Sequence, residues 1–361
     1  MGKILGLGIT HYPGLSFKGN LAGRINLLLD DPALPDPLRD PANWDPAMRA
    51  QWGDDEGQGH VREHRQAMID EFRKARHELD AFAPDFVVLW GDDQYENFRE
   101  DCVPAFCVLA YHSVEATPWK HSLTPSAFGA RSDRVTNAWD EPGDKVFPIK
   151  GHPDAGKYLA TALLREGFDI AYSYKPLHGE GLGHAHVNSV LYLDWDRQGF
   201  PYPVVPITVN SYGRNLVRAR GKAQTPSEAL AMEADFDPPG PQPWRCFQLG
   251  AAVARAVVDS PWNVALIASS SWSHSFLTQK HAGFFPDVES DRLFYRALSE
   301  GDWDLWRHVD LEEAEDRGHH ELLNWFCLAG AMAELGRKPT YSRYLESWIT
   351  NSDKVFAVFR P

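Results

Sequence analysis

The sequence predicts a single α/β domain: a central sheet flanked by helices, with long active-site loops along one edge. Three observations lead there. Short apolar runs bounded by turn residues, at 3–9, 86–90 and 263–269, have the length and composition of strands buried on both faces. Segments of helical period alternate with them. A chain of 361 residues, 43% of them apolar, can fill one large core, and no internal repeat or low-complexity tract marks a second unit.

The elements follow in order. Residues 3–9 form a strand that ends at His11-Tyr12-Pro13-Gly14. Residues 30–58 are rich in Pro and Asp without a period, which predicts a long, lid-like loop insertion. From Val61 the period is helical, with Met68, Ile69, Phe72, Ala75, Leu79 and Phe82 on one face until Pro84. The strand 86–90 stops abruptly at Gly91-Asp92-Asp93-Gln94. Residues 113–150 and 222–243 are further irregular insertions. Tyr158 to Leu164 read as a helix closed by Gly167, and 169–173, 188–194 and 203–209 read as strands. A helix covers 245–258. The strand 263–269 opens into Ser270-Ser271-Trp272-Ser273-His274. Helices over 289–299 and 320–335 follow.

Composition excludes several classes of function. A formal charge of −14 repels a phosphate backbone, so no nucleic-acid partner is expected. No apolar run is long enough for a transmembrane helix, and the opening residues lack the apolar block of a signal peptide. The four cysteines, Cys102, Cys107, Cys246 and Cys327, form no CxxC pair. They read as reduced thiols of a cytoplasmic protein.

Histidines and acids gather just past strands or at helix starts: His11, Asp92-Asp93-Gln94, the run HGEGLGHAHVN from 178, Ser273-His274, and Gly318-His319-His320-Glu321. Strand ends of α/β sheets are where ligands bind. Each group also has an ordinary reading, as a turn former, a helix start or a hydrogen-bonded core histidine. His184 and His186, two apart, would point to opposite faces of a strand, so one of them is structural. Two histidines and one carboxylate on one face is the pattern of mononuclear non-haem iron(II) sites with open positions.

At these residues the chain resembles the class III extradiol ring-cleavage dioxygenases, the superfamily of the protocatechuate 4,5-dioxygenase catalytic subunit. The motifs stand in order: Gly8-Ile9-Thr10-His11-Tyr12-Pro13, FVVLWGDDQ, Pro104-Ala105-Phe106, Gly183-His184-Ala185, Ser273-His274 and Glu321-Leu322-Leu323-Asn324-Trp325. GDDQYENF and GEGLGHAHVN resemble most the gallate and 3-O-methylgallate branch. The resemblance implies an Fe(II) cofactor held by His11 and Glu321, with Gln94 where the family has its second histidine ligand. It implies His184 as the acid–base residue, with His186 as the rival, and His274 as a residue that touches substrate or oxygen.

Gln94 is the departure, because a neutral amide oxygen is a weaker iron(II) ligand than imidazole. Gln94 coordinates weakly, or Asp92 or Asp93 takes its place or orients a ligand, or His60 or His64 replaces it, or the site holds no metal. The implied activity is the O2-dependent opening of a catecholic or gallate-like ring, with protocatechuate, gallate and 3-O-methylgallate as candidate substrates. The implied assembly is a homo-oligomer without a membrane partner. Trp119 and Trp272 are candidate walls of an aromatic slot, and Arg214, Arg218 and Lys120 are candidate partners of a substrate carboxylate. The rival readings are a catalytically silent subunit or binding protein of the same fold, and a zinc-dependent hydrolase.

Overall fold

The computed structural model of the protein describes residues 2–19, 21–122, 137–176, 178, 181–232 and 235–361. Its centre is an eight-stranded mixed sheet. The strands are β1 (Ile4–Ile9), β2 (Phe86–Asp92), β3 (Phe106–Leu109), β4 (Ala171–Ser173), β5 (Val204–Val209), β6 (Val264–Ser269), β7 (Tyr341–Leu345) and β8 (Lys354–Phe359). They lie in the order β4-β3-β5-β2-β6-β1-β8-β7. The central four, β5, β2, β6 and β1, are parallel, with Val87 opposite Val204 and Ile4 opposite Val264. β3 joins β5, and β8 joins β1, in antiparallel pairing.

Both faces of the sheet are covered, which is why the central strands are apolar at almost every position. Alternate side chains of β2 divide between two cores. Val87 and Leu89 pack with Met68, Phe72 and Leu191, from helices α1 (Gln58–Phe82) and α3 (His184–Leu193). Val88 and Trp90 belong to the opposite core, with Leu163 of α2 (Pro153–Arg165), Val253 of α4 (Pro243–Val258) and Leu328 of α6 (Leu323–Glu334). Helix α5 (Val288–Glu300) adds Phe294 to that core.

α4 and α6 touch backbone to backbone. A Cβ built on Gly250 would stand 1.7 Å from the carbonyl oxygen of Cys327, and one on Gly330 would stand 1.8 Å from that of Phe247. This contact seats α6 on the sheet, so that Trp325 Nε1 donates to the Ser270 carbonyl at 3.2 Å.

Three expectations for the elements need correction. Residues 188–194 are not a strand but most of α3, whose residues Ala185 to Leu193 are all buried. A helix buried all round has no apolar stripe, so its periodicity cannot be told from that of a buried strand. The 30–58 insertion is mostly short helical turns, among them Pro46–Trp52, rather than loop. The helix expected from 320 begins at Leu323, which leaves His320 and Glu321 in the turn before it. The chain after Lys338 adds β7 and β8 to the sheet.

The 113–150 insertion carries a two-stranded ribbon, Ser113–Ala116 with Phe147–Lys150, while its residues 123–136 lie outside the described residues. In the 222–243 insertion Thr225 and Glu228 form a capping box on the short helix Pro226–Ala231, and residues 233–234 lie outside the described residues. Trp119 and Trp272 are not pocket walls. Trp119 packs on Trp139 and Phe147, and Trp272 packs edge-on against Trp306 and Trp325 in the core.

The close helix contact sets a test. Gly330→Ala forces α4 and α6 apart and should cost about 3 kcal/mol. A lowered urea midpoint at unchanged m would show it.

Candidate active site

Just past their C-terminal ends, the four parallel strands deliver one cluster. β1 leads into His11, β2 ends in Asp92, β5 leads into Tyr212 and β6 leads into His274. The turn before α6 adds Glu321, and the first residue of α3 is His184. Asn188 and Ser189 of α3 hold the strand ends together. The Asn188 amide donates to the His11 carbonyl at 3.2 Å, and Ser189 Oγ donates to Ser269 Oγ at 2.7 Å.

His11 is the centre. Its Nδ1–H donates to the Ser269 carbonyl at 3.0 Å, so in the neutral ring the lone pair is on Nε2. That Nε2 faces Asp92 Oδ1 at 3.4 Å and Glu321 Oε2 at 3.3 Å. His274 repeats the arrangement: its Nδ1 is 2.8 Å from the Trp272 carbonyl, and its Nε2 is 3.4 Å from the same Glu321 Oε2. Glu321 Oε1, on the other side, accepts from Tyr212 Oη at 2.6 Å and from Gln94 Nε2 at 3.1 Å. The Gln94 amide nitrogen also contacts Tyr212 Oη.

The electrostatics follow from burial. Burial pushes the Asp92 carboxyl up, and nearby Glu321 adds to this, to about 7. Burial would raise Glu321 as well, but the facing His274 and His11 outweigh it and hold that carboxyl well below its ordinary range. Burial acts to lower His11, yet Asp92 and Glu321 leave its pKa raised. The carboxylates therefore converge on one imidazole, and among the described residues Asp92 Oδ2 is buried with no hydrogen-bond partner. A bound cation satisfies such a set, and a proton is its substitute. Ligand atoms of His11, Asp92 and His184 lie within 4.8 Å of one another. The residues present thus fit a divalent metal.

His184 stands on the open side, its ring edge-on to His11 at 5.1 Å. Its Nδ1 pairs with Glu96 Oε2 at 3.1 Å, and its backbone N–H donates to Glu96 Oε1 at 2.8 Å. Burial would lower this imidazole, but Glu96 at contact distance prevails and lifts it to about 10. His186 is different. It is buried against Gly91, and burial lowers it to about 4.

The other expected residues fall outside the cluster. Asp93 caps its own turn, accepting from the backbone N–H groups of Glu96 and Asn97 at 2.9 Å each. His60 and His64 stack on each other, and His60 bonds Ser347. Arg214 pairs with Glu315, and Arg218 lies over Phe236. Sequence reasoning missed Glu96 and Tyr212. Glu96, two residues past Gln94, stood in the motif already singled out, whereas Tyr212 carried no signal.

Beneath the site a carboxylate clamp joins two of its loops. Asp291 of α5 accepts from the Ser273 N–H at 3.2 Å and pairs with His319 Nε2 at 2.7 Å. It also shares a hydrogen bond with buried Asp353. The Ser273-His274 and His319–Glu321 segments are thus tied to one side chain.

Comparison with known proteins follows the same lines. Residues 235–353 match the family model described as the catalytic LigB subunit of aromatic ring-opening dioxygenase. That span holds His274, Asp291 and Glu321. Relatives named 2,3-dihydroxyphenylpropionate/2,3-dihydroxicinnamic acid 1,2-dioxygenase align over a longer stretch. One from Burkholderia vietnamiensis is 26% identical over 325 residues, 77% of this chain and 85% of the relative. Another, from a Rhodococcus species, is 24% identical over 308 residues, 77% of this chain and 86% of its own length. A third, from Rhodococcus jostii, is 26% identical over 317 residues, 79% and 90% respectively. Among the described residues no helix is long and apolar enough to cross a membrane.

Burial lifts Asp291 to about 7, so the folded state keeps a proton that the unfolded chain releases above about pH 4. Stability should therefore fall as pH rises from about 4 to about 7. Asp291→Asn removes the titrating group. Its urea midpoint should decline less over that window, and an undiminished decline would assign the titration to other groups.

Proposed function

We infer that this chain, an extradiol ring-cleavage dioxygenase with a LigB-family domain, uses Fe(II) to open catecholic rings with O2. The observation that carries the metal reading is the convergence of His11 Nε2, Asp92 and Glu321, all buried, with Asp92 Oδ2 lacking a hydrogen-bond partner among the described residues. The substrate class is a ring with adjacent hydroxyls. The relatives are named for 2,3-dihydroxyphenyl compounds, and gallate, 3-O-methylgallate and protocatechuate present the same pair of groups.

His11 and Glu321 would hold the iron, each already fixed by its other atom. Iron supplies a Lewis acid that lowers the cost of the catecholate and a source of electron density for dioxygen. The rest is the work of this chain's side chains. His184 Nε2 faces the site while Glu96 fixes the ring through Nδ1. In the metal-free protein Glu96, Asp92 and Glu321 together keep a proton on this imidazole. A cation that neutralises Asp92 and Glu321 weakens that hold, leaving Nε2 free to take a proton from a substrate hydroxyl. The same atom can return that proton to the opened product. His274, with Nδ1 committed to Trp272, keeps its ring at the edge of the site, beside Phe276, as a substrate contact.

The test is oxygen uptake by iron-loaded protein with 2,3-dihydroxyphenylpropionate, protocatechuate, gallate and 3-O-methylgallate. A yellow ring-opened product and one O2 per substrate are expected from at least one of them. No uptake with any of the four would refute the assignment. His184→Gln should keep iron yet lose about 100- to 10,000-fold in kcat. Glu96→Gln, which leaves the imidazole in place but unsupported, should lose less, and its pH–rate profile should shift to lower pH. Near-normal turnover by His184→Gln would move the acid–base role to another residue.

A further inference from the structure

We propose that Asp92, and not Gln94, completes the metal site with His11 and Glu321, and that Gln94 is a positioning residue that holds Glu321. The proposal rests on the metal-dependent reading above.

The case for Asp92 is the direction in which it points. A carboxylate that merely orients a ligating histidine sits on the nitrogen away from the metal. On His11 that nitrogen is Nδ1, and the Ser269 carbonyl already occupies it. Asp92 Oδ1 sits instead 3.4 Å from Nε2, the side that carries the lone pair. Adjacent ligands about one cation, with bonds of about 2.1 Å, stand roughly 3 Å apart. The carboxylate is otherwise poorly supported. Oδ1 accepts a long 3.3 Å bond from Asn324 Nδ2, and Oδ2, fully buried, has no hydrogen-bond partner among the described residues. A buried carboxylate in that condition is costly unless a cation joins it. Asp92 also belongs to the trio with His11 and His184 whose ligand atoms lie within 4.8 Å.

Gln94 is placed for another task. Its amide nitrogen, which has no lone pair to give, contacts both Glu321 Oε1 and Tyr212 Oη. Turning the amide over would set its oxygen against the Glu321 carboxylate, so the hydrogen-bond network fixes this orientation. Gln94 and Tyr212 together occupy Oε1. Glu321 is left with Oε2 toward His11 and His274. The ligand set becomes one imidazole and two carboxylates, which cancels the charge of a dication. Two imidazoles and one carboxylate would leave one positive charge.

The test is anaerobic calorimetric titration of Fe(II) alone into metal-free wild type, Asp92→Asn and Gln94→Leu, with thermal melts of each. Asp92→Asn should weaken iron binding by more than about 100-fold, whereas Gln94→Leu, a change one shell out, should cost about 10-fold and keep a 1:1 stoichiometry. Metal-free Asp92→Asn should melt at or above the wild-type temperature, because it removes a buried carboxyl whose Oδ2 has no hydrogen-bond partner among the described residues. That melt separates a lost ligand from a lost fold, and Asp92→Ala repeats the comparison without an amide. Wild-type affinity in Asp92→Asn, or loss of iron from Gln94→Leu as severe as expected for Asp92→Asn, overturns the proposal. Absence of iron binding by the wild type would instead overturn the metal-dependent reading itself.

Discussion

Two carboxylates buried against one imidazole cannot all stay charged and dry without a cation, and much of the surrounding structure answers to that constraint. Asp92 and Glu321 approach His11 Nε2 from different parts of the chain, a strand end and the turn before a helix. Such an arrangement is destabilising by itself, because removing a charge from water costs several kcal/mol even after relaxation. It persists because each member is held from behind: His11 by the Ser269 carbonyl, Glu321 by Tyr212 and Gln94, and Asp92 by its place at the end of a strand paired on both sides. The buried sheet and its two helical layers offset that cost.

The delivery is geometric. Four parallel strands end at one edge, so the residues just past them meet, although they are drawn from positions as far apart as 11, 92, 212 and 274. The backbone contact at Gly250 and Gly330 lets α6 lie close enough for Asn324 and Trp325 to bond the Ser269 and Ser270 carbonyls. Asp291 then ties the His274 segment to the segment before Glu321. Packing that looks remote from chemistry thereby sets the spacing of the groups that perform it.

Much of this was legible in the sequence because strands that end in polar residues announce a sheet edge. The apolar runs at 3–9, 86–90 and 263–269 placed His11, Asp92 and His274 near one another before any coordinates, and the structure brings them together. Residues 188–194 were misread because every position of that helix is buried, which erases the stripe on which a helical reading depends. With that misreading, the two-residue spacing of His184 and His186 was taken for opposite faces of a strand. In the first turn of the helix they still lie about 200° apart, one toward Glu96 and one against Gly91. Tyr212 was invisible for a different reason. A tyrosine three residues past a strand carries no pattern, and only the fold shows that its hydroxyl reaches Glu321. Gln94 stands where the resemblance implies a second histidine ligand. Its role could not be read, because an amide serves equally as a ligand through oxygen and as a donor through nitrogen, and only its neighbours decide.

The cluster is also divided by access to water, and the division matches what each half has to do. His11, Asp92 and Glu321 are buried, whereas Gln94, Glu96 and His184 are only partly so. In the dry half charges interact strongly and donors stay where they are put. A group that takes a proton and gives it back needs the opposite, a partner to orient it and a path by which its charge can exchange with solvent. The pairing of His184 with Glu96 at the rim supplies both. Moving that pair inward would strengthen its contact but trap the proton, and moving His11 outward would let water compete for Nε2. The boundary between the halves falls at Glu321, whose Oε2 faces the buried imidazoles while its Oε1 is held by Tyr212 and the partly exposed Gln94. One side chain thus links the buried cluster to the hydrogen-bond network that reaches the rim.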